Sequence, residues 1–443
     1  MNIKLSDHFT YKRIMRFTLP PILMMIFTSI YGVVDGYFVS NFAGKMPFAA
    51  VNLIMPFLMI LGCIGFMFGA GGSALVAKTL GEGKEKKANE IFSLIVYVSL
   101  ALSFLIAILG IIYIEPVSKM LGADNELLIG CVEYGTIILI ALPAFVMQME
   151  FQSFFITAEK PNLGLKVTLI SGIINMVLDF LLVGVFPFGI KGAAIATAIS
   201  QFVGGFLPII YFARKNNSLL KLTKTKFDLK PIVKTCTNGS SELMSNISMS
   251  LVAMLYNGQL MKYEGENGVA AYGVLMYVSM IFAAIFIGYS IGSAPVVGYN
   301  YGAKNDKELK NILKLSVVII GVFSVIMMVM SLLLAYPLSK LFVGYDKELF
   351  SLTLKGFNIF SFSYLFMGYA IFSSGFFTAL NDGVTSAIIS FLRTLVFQIA
   401  AVILLPMIWQ VDGIWISIVV AELMAVVVSV VFIMLKRNKY KYY

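Results

Sequence analysis

Runs of about twenty apolar residues follow one another along the whole of this chain, and a helix of that length crosses the ~30 Å hydrocarbon core of a bilayer. In lipid the backbone amides must pair within the segment, so such runs fold as helices. Taken in order, they place spans near 14–40, 48–76, 91–114, 131–157, 164–186, 190–212, 232–260, 268–300, 312–335, 349–379, 384–405 and 411–435, twelve in all. With 59% hydrophobic and 13% charged residues over 443 positions, the chain is more apolar than a soluble core of this size uses. The expected fold is an all-α polytopic membrane protein. Cys63, Cys131 and Cys236 fall in or beside apolar runs without CxxC or zinc spacing, so they read as small packing residues. The basic N-terminal residues Lys4, Lys12, Arg13 and Arg16 precede a run too long for a signal peptide, and no small-residue cleavage site closes it.

Charge supplies the orientation. Placing the N-terminus inside leaves Lys45, Lys119, Lys191, Lys262, Lys340, Lys347 and Lys355 outside, seven of the 33 basic residues. The others, including the 78–87 cluster, Arg214 to Lys234, Lys304 to Lys314 and the tail Lys436 to Lys441, fall inside or, for Arg393, on the inner side of a span. Cytoplasmic loops are enriched in Lys and Arg, so both termini are expected in the cytoplasm. Basic loops beside anionic lipid account for the net charge of +10, and a nucleic-acid partner is not needed to explain it.

The chain also repeats itself. Gly71-Gly72-Ser73-Ala74-Leu75-Val76-Ala77-Lys78-Thr79-Leu80-Gly81 matches Gly292-Ser293-Ala294-Pro295-Val296-Val297-Gly298-Tyr299-Asn300-Tyr301-Gly302 at an offset of 221. The same offset pairs Phe155-Ile156-Thr157-Ala158 with Phe376-Phe377-Thr378-Ala379, and Gly192-Ala193-Ala194-Ile195 with Gly413-Ile414-Trp415-Ile416. Six spans per copy keep both copies in one orientation, related by an axis along the membrane normal. We therefore expect an N-terminal six-helix lobe (1–215), a cytoplasmic linker (216–230) and a C-terminal six-helix lobe with a basic tail (231–443), enclosing a central cavity.

Acidic residues within the spans mark candidate sites, because a charge at the bilayer centre costs about 2.5–3.5 kcal/mol on insertion scales and persists where it faces a cavity or partner. Asp35 lies near the far end of the first run, with Tyr31 and Thr28 on its face at helical spacing. Asn175 and Asp179, four apart, share one face of the fifth span, close in sequence to Thr197 on the sixth. Two carboxylates brought together in low dielectric hold a proton or a cation between them; alternatively each is hydrogen-bonded locally and fixes helix packing. Advancing Asp35, Asn175 and Asp179 by 221 lands on Tyr256, Val396 and Ala400, so the second copy carries no acidic set there. Glu150 and Glu242 are candidates for a substrate cavity with Tyr31 and Tyr256, weighed against structural hydrogen bonding. Arg393 and Glu422 read as a pair across the last two spans. Pro20 and Pro21 precede Asp35 in its own helix and make Pro20 a candidate hinge, or simply a helix start.

In sum these features resemble the multidrug and toxic compound extrusion (MATE) transporters. The six-plus-six repeat carries the resemblance, as do Val34-Asp35-Gly36, Gly81 with its charged loop, and Asn175-Met176-Val177-Leu178-Asp179 followed by Gly189-Ile190-Lys191-Gly192-Ala193-Ala194. The basic tail and Thr157-Ala158-Glu159-Lys160-Pro161 are most like the bacterial MepA-type branch. The resemblance implies a multi-pass plasma-membrane antiporter with an outward-facing V-shaped cavity, exporting drugs or organic cations against H+ or Na+. It also implies that Asp35, Asn175, Asp179 and Thr197 form the cation-coupling site, with Na+ there as the one metal ion to consider and no cofactor besides the coupling ion. We expect a monomer among membrane lipids. A flippase for lipid or lipid-linked oligosaccharide shares the repeat but calls for basic groups in its cavity, and Arg393 is the one strong candidate. A channel needs no coupling site. An enzyme is not expected, since the sole histidine, His8, precedes the first span and no nucleophile–base pair or metal cluster stands in the spans.

Overall fold

The computed structural model describes residues 3–442, and the extreme ends of the two expected lobes, residues 1–2 and 443, lie outside them. Among the described residues every regular element is helical. The apolar runs become α1 (Tyr11–Ala43), α2 (Met46–Gly81), α3 (Glu85–Met120), α4 (Asn125–Thr157), α5 (Pro161–Val185) and α6 (Gly189–Ala213) in the first half. The helix Leu229–Gly302 folds back at Gly265, where φ is 60°, into α7 (229–264) and α8 (266–302). Glycine meets that left-handed turn without a Cβ penalty, so the expected loop between the seventh and eighth spans shrinks to one residue. The second half closes with α9 (Asp306–Val343), α10 (Lys347–Ala379), α11 (Gly383–Leu404) and α12 (Pro406–Tyr440), whose first turn breaks at Gln410. Side chains define several starts: Thr10, Asn305, Asp346 and Asp382 each accept from an amide of the turn they cap.

Several spans are not uniform α-helices. The first half of α2 ends at Gly62 and the second begins at Ile64, with Cys63 as the joint. Wider π turns occupy Val39–Ala43, Phe180–Val185 and Leu392–Val396. The first two lie just beyond Asp35 and Asp179, and the third contains Arg393. Such turns concentrate at functional sites.

Two hydrophobic clusters form. One is built from α2–α6 residues such as Phe92, Phe151, Phe154 and Phe212. The other is built from the second half but also takes in Leu5, Phe9, Ile14, Phe17 and Ile22, so the start of α1 packs with the opposite lobe. Glycines bring the lobes into backbone contact at the end that holds the chain termini. Gly71 lies against Thr235 and Gly239, Gly239 against Met67, Gly81 against Tyr299, and Gly302 against Lys78. Gly288 abuts Pro21 and Ile22. Small residues allow this approach of helices in lipid. At the other end Gly32, Gly36, Gly258 and Gly273 would have no neighbour within 4 Å of an added methyl group. The close backbone contacts between the lobes thus lie at the end that holds the termini.

The linker is held to the first lobe. Asn89 on α3 accepts the Lys221 amide at 2.6 Å, and Ser93 accepts that of Thr223 at 2.8 Å. The segment before α1 straddles both lobes instead. The Leu5 amide donates to Glu159 at 2.7 Å, its carbonyl accepts from Asn300 at 3.3 Å, and the Phe9 amide donates to Glu308 at 2.9 Å.

Candidate functional site

Helices α1, α4, α5 and α6 converge on a polar pocket inside the first lobe. Thr197 Oγ1 donates to Asp35 Oδ1 at 3.5 Å, and Asn175 Nδ2 donates to Thr197 Oγ1 at the same distance. One turn beyond Asn175, Asp179 is completely buried. Its carboxyl group faces that of Asp35, and neither of its oxygens receives a hydrogen bond from an amide or hydroxyl of the protein. Among the described residues no Lys or Arg forms an ion pair with either carboxyl group. Two carboxyl groups facing one another in low dielectric repel when both are ionised, and one proton or one monovalent cation between them relieves the repulsion.

Neighbouring residues give the pocket its shape. The Tyr31 ring, one turn before Asp35, lies against Gly172 of α5, where a larger side chain would collide with it. Its hydroxyl is buried and without a partner. A deeper tier ties the same helices together: Ser171 donates to the Ser200 carbonyl at 2.7 Å and Gln148 to Ser171 at 3.3 Å. Tyr134 on α4 is a residue that sequence reasoning missed. It is fully buried, its hydroxyl has no partner, and it interacts electrostatically with both Asp35 and Asp179. A polar aromatic at the start of the fourth apolar run was its one signal.

The other candidates lie apart. Glu150 is sealed inside the first lobe, with Gly69 of α2 packed against its backbone and Ser99 of α3 beside its carboxyl group. Tyr256 is buried in the second lobe, donating to Gln398 Oε1 at 2.8 Å and stacked on Tyr272 at 5.3 Å between centroids. Glu242 on α7 is half-buried and within electrostatic reach of Arg393. Arg393 itself grips Glu422 in a fork, Nε to Oε2 and Nη2 to Oε1 both at 2.9 Å. Pro20 and Pro21 are buried in α1, which stays helical through both.

Comparisons with known proteins agree with this architecture. The sequence model of the family described as MatE matches the chain twice, over residues 20–181 and 243–404. Similar proteins include the multidrug export protein MepA of Staphylococcus haemolyticus (strain JCSC1435), 26% identical over 97% of this chain and 94% of that protein. The MepA of Staphylococcus aureus (strain MRSA252) is 24% identical over the same shares. Among solved structures, the outward-facing conformation of a multidrug resistance MATE family transporter superposes with a TM-score of 0.93, covering 98% of both chains at 22% identity. At that identity the likeness speaks for the fold.

Proposed function

Because the chain belongs to the MatE family of multidrug efflux transporters, we propose that it is a secondary active antiporter that exports lipophilic cations in exchange for H+ or Na+, coupled at Asp35 and Asp179. The observation that carries this reading is the Asp179 carboxyl group, completely buried and facing Asp35 instead of a base. An acidic pair without a counter-charge in lipid has a standing affinity for one positive ion. Asn175 and Thr197 orient the pair, and Tyr134 offers a hydroxyl to whichever oxygen the ion leaves.

Transmission follows from where α1 packs. Its second half carries Asp35, while its first half is seated on the opposite lobe at Gly288 and Gly292. Pro20 and Pro21 lack the amides that would bond the Arg16 and Phe17 carbonyls, so α1 bends there at low cost. An ion that draws Asp35 towards Asp179 moves α1 against α5, and the Pro20 hinge passes that motion to the lobe interface. With both termini cytoplasmic, the cleft opens outward, and the two lobes rock about the linker at 216–230. Half-buried Glu242 supplies a counter-charge for a cationic substrate in the cleft. The flippase alternative loses its main support, because Arg393 is already neutralised by Glu422.

Efflux of a cationic dye from inverted membrane vesicles tests the reading, energised once by a pH gradient and once by a Na+ gradient. Asp35→Asn and Asp179→Asn should each abolish gradient-driven transport while leaving folded protein in the membrane. Full activity in both variants would overturn it.

A further inference from the structure

We infer that a groove on the outer wall of the second lobe is a binding site for one anionic phospholipid, drawn from the leaflet on the side of the chain termini. The groove has a volume of about 380 Å³ and runs between α9, α10 and α12. Val317, Phe372, Val426, Val430 and Ile433 give it an apolar lining, and the buried small side chains of Ser373 and Ser429 leave its floor hollow. Arg437 closes the end nearest the C-terminus.

Helical spacing accounts for that arrangement. Residues 426, 430, 433 and 437 recur at intervals of four, three and four, so they occupy one face of α12. The neighbouring cations turn the other way: Lys436 and Lys439 reach Asp382 at 3.5 and 3.8 Å, and Tyr440 donates to the same carboxylate at 2.7 Å. Of the three basic residues near the end of α12, Arg437 alone shares the groove face. From Val426 to Arg437 the helix rises about 16 Å, close to half of the ~30 Å hydrocarbon core. An apolar slot one leaflet deep with a cation at its interfacial end matches an acyl chain joined to a phosphate-bearing headgroup. A net negative headgroup is favoured over a zwitterionic one, because the latter brings its own cation to the phosphate.

The test is native mass spectrometry of the full chain in mild detergent, with palmitoyl-oleoyl phosphatidylglycerol and the matching phosphatidylcholine added in equal amounts. The wild-type protein should retain phosphatidylglycerol preferentially. Arg437→Gln should reduce that preference about fivefold, the worth of one interfacial basic residue. Val430→Trp, which fills the slot from a lipid-exposed position, should lose both lipids at an unchanged thermal midpoint. Lys436→Gln removes the same charge from the other face and should keep the preference. The inference is overturned if Arg437→Gln leaves the lipid ratio unaltered, or if Val430→Trp retains lipid as the wild type does. Equal losses in Lys436→Gln and Arg437→Gln would overturn it in favour of a diffuse basic surface. Displacement of phosphatidylglycerol by tetraphenylphosphonium from the wild type alone would overturn it in favour of a lateral entry for lipophilic cations.

Discussion

Replacing Glu422 with Leu isolates the role of the charge in the second lobe. In the native protein three N–H···O contacts join Arg393 to Glu422, at 3.2, 2.9 and 2.9 Å, and the two side chains are 16% and 3% exposed. The variant leaves a guanidinium in an apolar lobe, and a guanidinium cannot give up its proton. Breaking a buried pair from one side costs about 3–5 kcal/mol; at about 2–4 °C per kcal/mol for a chain of several hundred residues, the thermal midpoint in detergent should fall by roughly 6–20 °C. The reciprocal Arg393→Met leaves a carboxyl group that can take up a proton, so its loss should be smaller and should shrink as the pH is lowered. The double variant, Arg393→Met with Glu422→Leu, places two apolar side chains face to face and should recover most of the midpoint. Glu242, within reach of Arg393, should soften the Glu422→Leu loss, so adding Glu242→Gln should deepen it. A Glu422→Leu protein as stable as the wild type, or a double variant worse than both singles, would refute the reasoning. Arg393 would then be a cation available to the cleft, and a phosphate-bearing substrate would return to consideration.

Two more outcomes are expected. Tyr134→Phe removes a hydroxyl that has no hydrogen-bond partner in the fold, so the thermal midpoint should hold while dye efflux falls about tenfold, the worth of one hydrogen bond to a charged group; unchanged efflux would remove Tyr134 from the site. Burial favours the neutral form of Asp382, but the Tyr440 and Thr385 hydroxyls, the Thr385 amide and Lys436 outweigh it and hold the carboxyl below its ordinary range. A carboxyl group lowered in the folded state stabilises above its unfolded pKa and loses that contribution as pH falls through the folded value. Protease cleavage of the C-terminal tail should therefore be slow at neutral pH, should accelerate below about pH 4, and should be fast at neutral pH in Asp382→Asn.

The twelve helices were legible because lipid leaves the backbone no other way to pair, so length and apolarity decide the element. The duplication was legible because glycine-rich runs recur at one offset, and the lobe contacts explain those glycines. Gly71, Gly81 and Gly302 sit where backbones of the two lobes touch. Spacing along one helix placed Asn175 with Asp179, since the period of 3.6 says which residues share a face. It does not say what lies opposite that face. For that reason it does not reveal Tyr134, nor that Glu150 and Tyr256 are buried each within its own lobe. The π turns after Asp35 and Asp179 leave no signature in composition, because they depend on how neighbouring helices hold the backbone open.

The two lobes share a scaffold and differ in where their buried charges find partners. In the second lobe the counter-ion is covalently part of the chain: Arg393 satisfies Glu422 and stands beside Glu242. A lobe with its own cation needs none from solution, and a further ion entering it would meet repulsion from the guanidinium. In the first lobe Asp35 and Asp179 face each other with Thr197 and Asn175 as neutral neighbours. An arginine there would satisfy the acids permanently and remove the reason to bind and release anything. Under the proposed function the same duplicated fold divides the work, with a fixed ion pair in one lobe and an exchangeable ion in the other. Introducing the second lobe's solution into the first, as an arginine within reach of Asp179, should therefore give a stable protein that no longer couples.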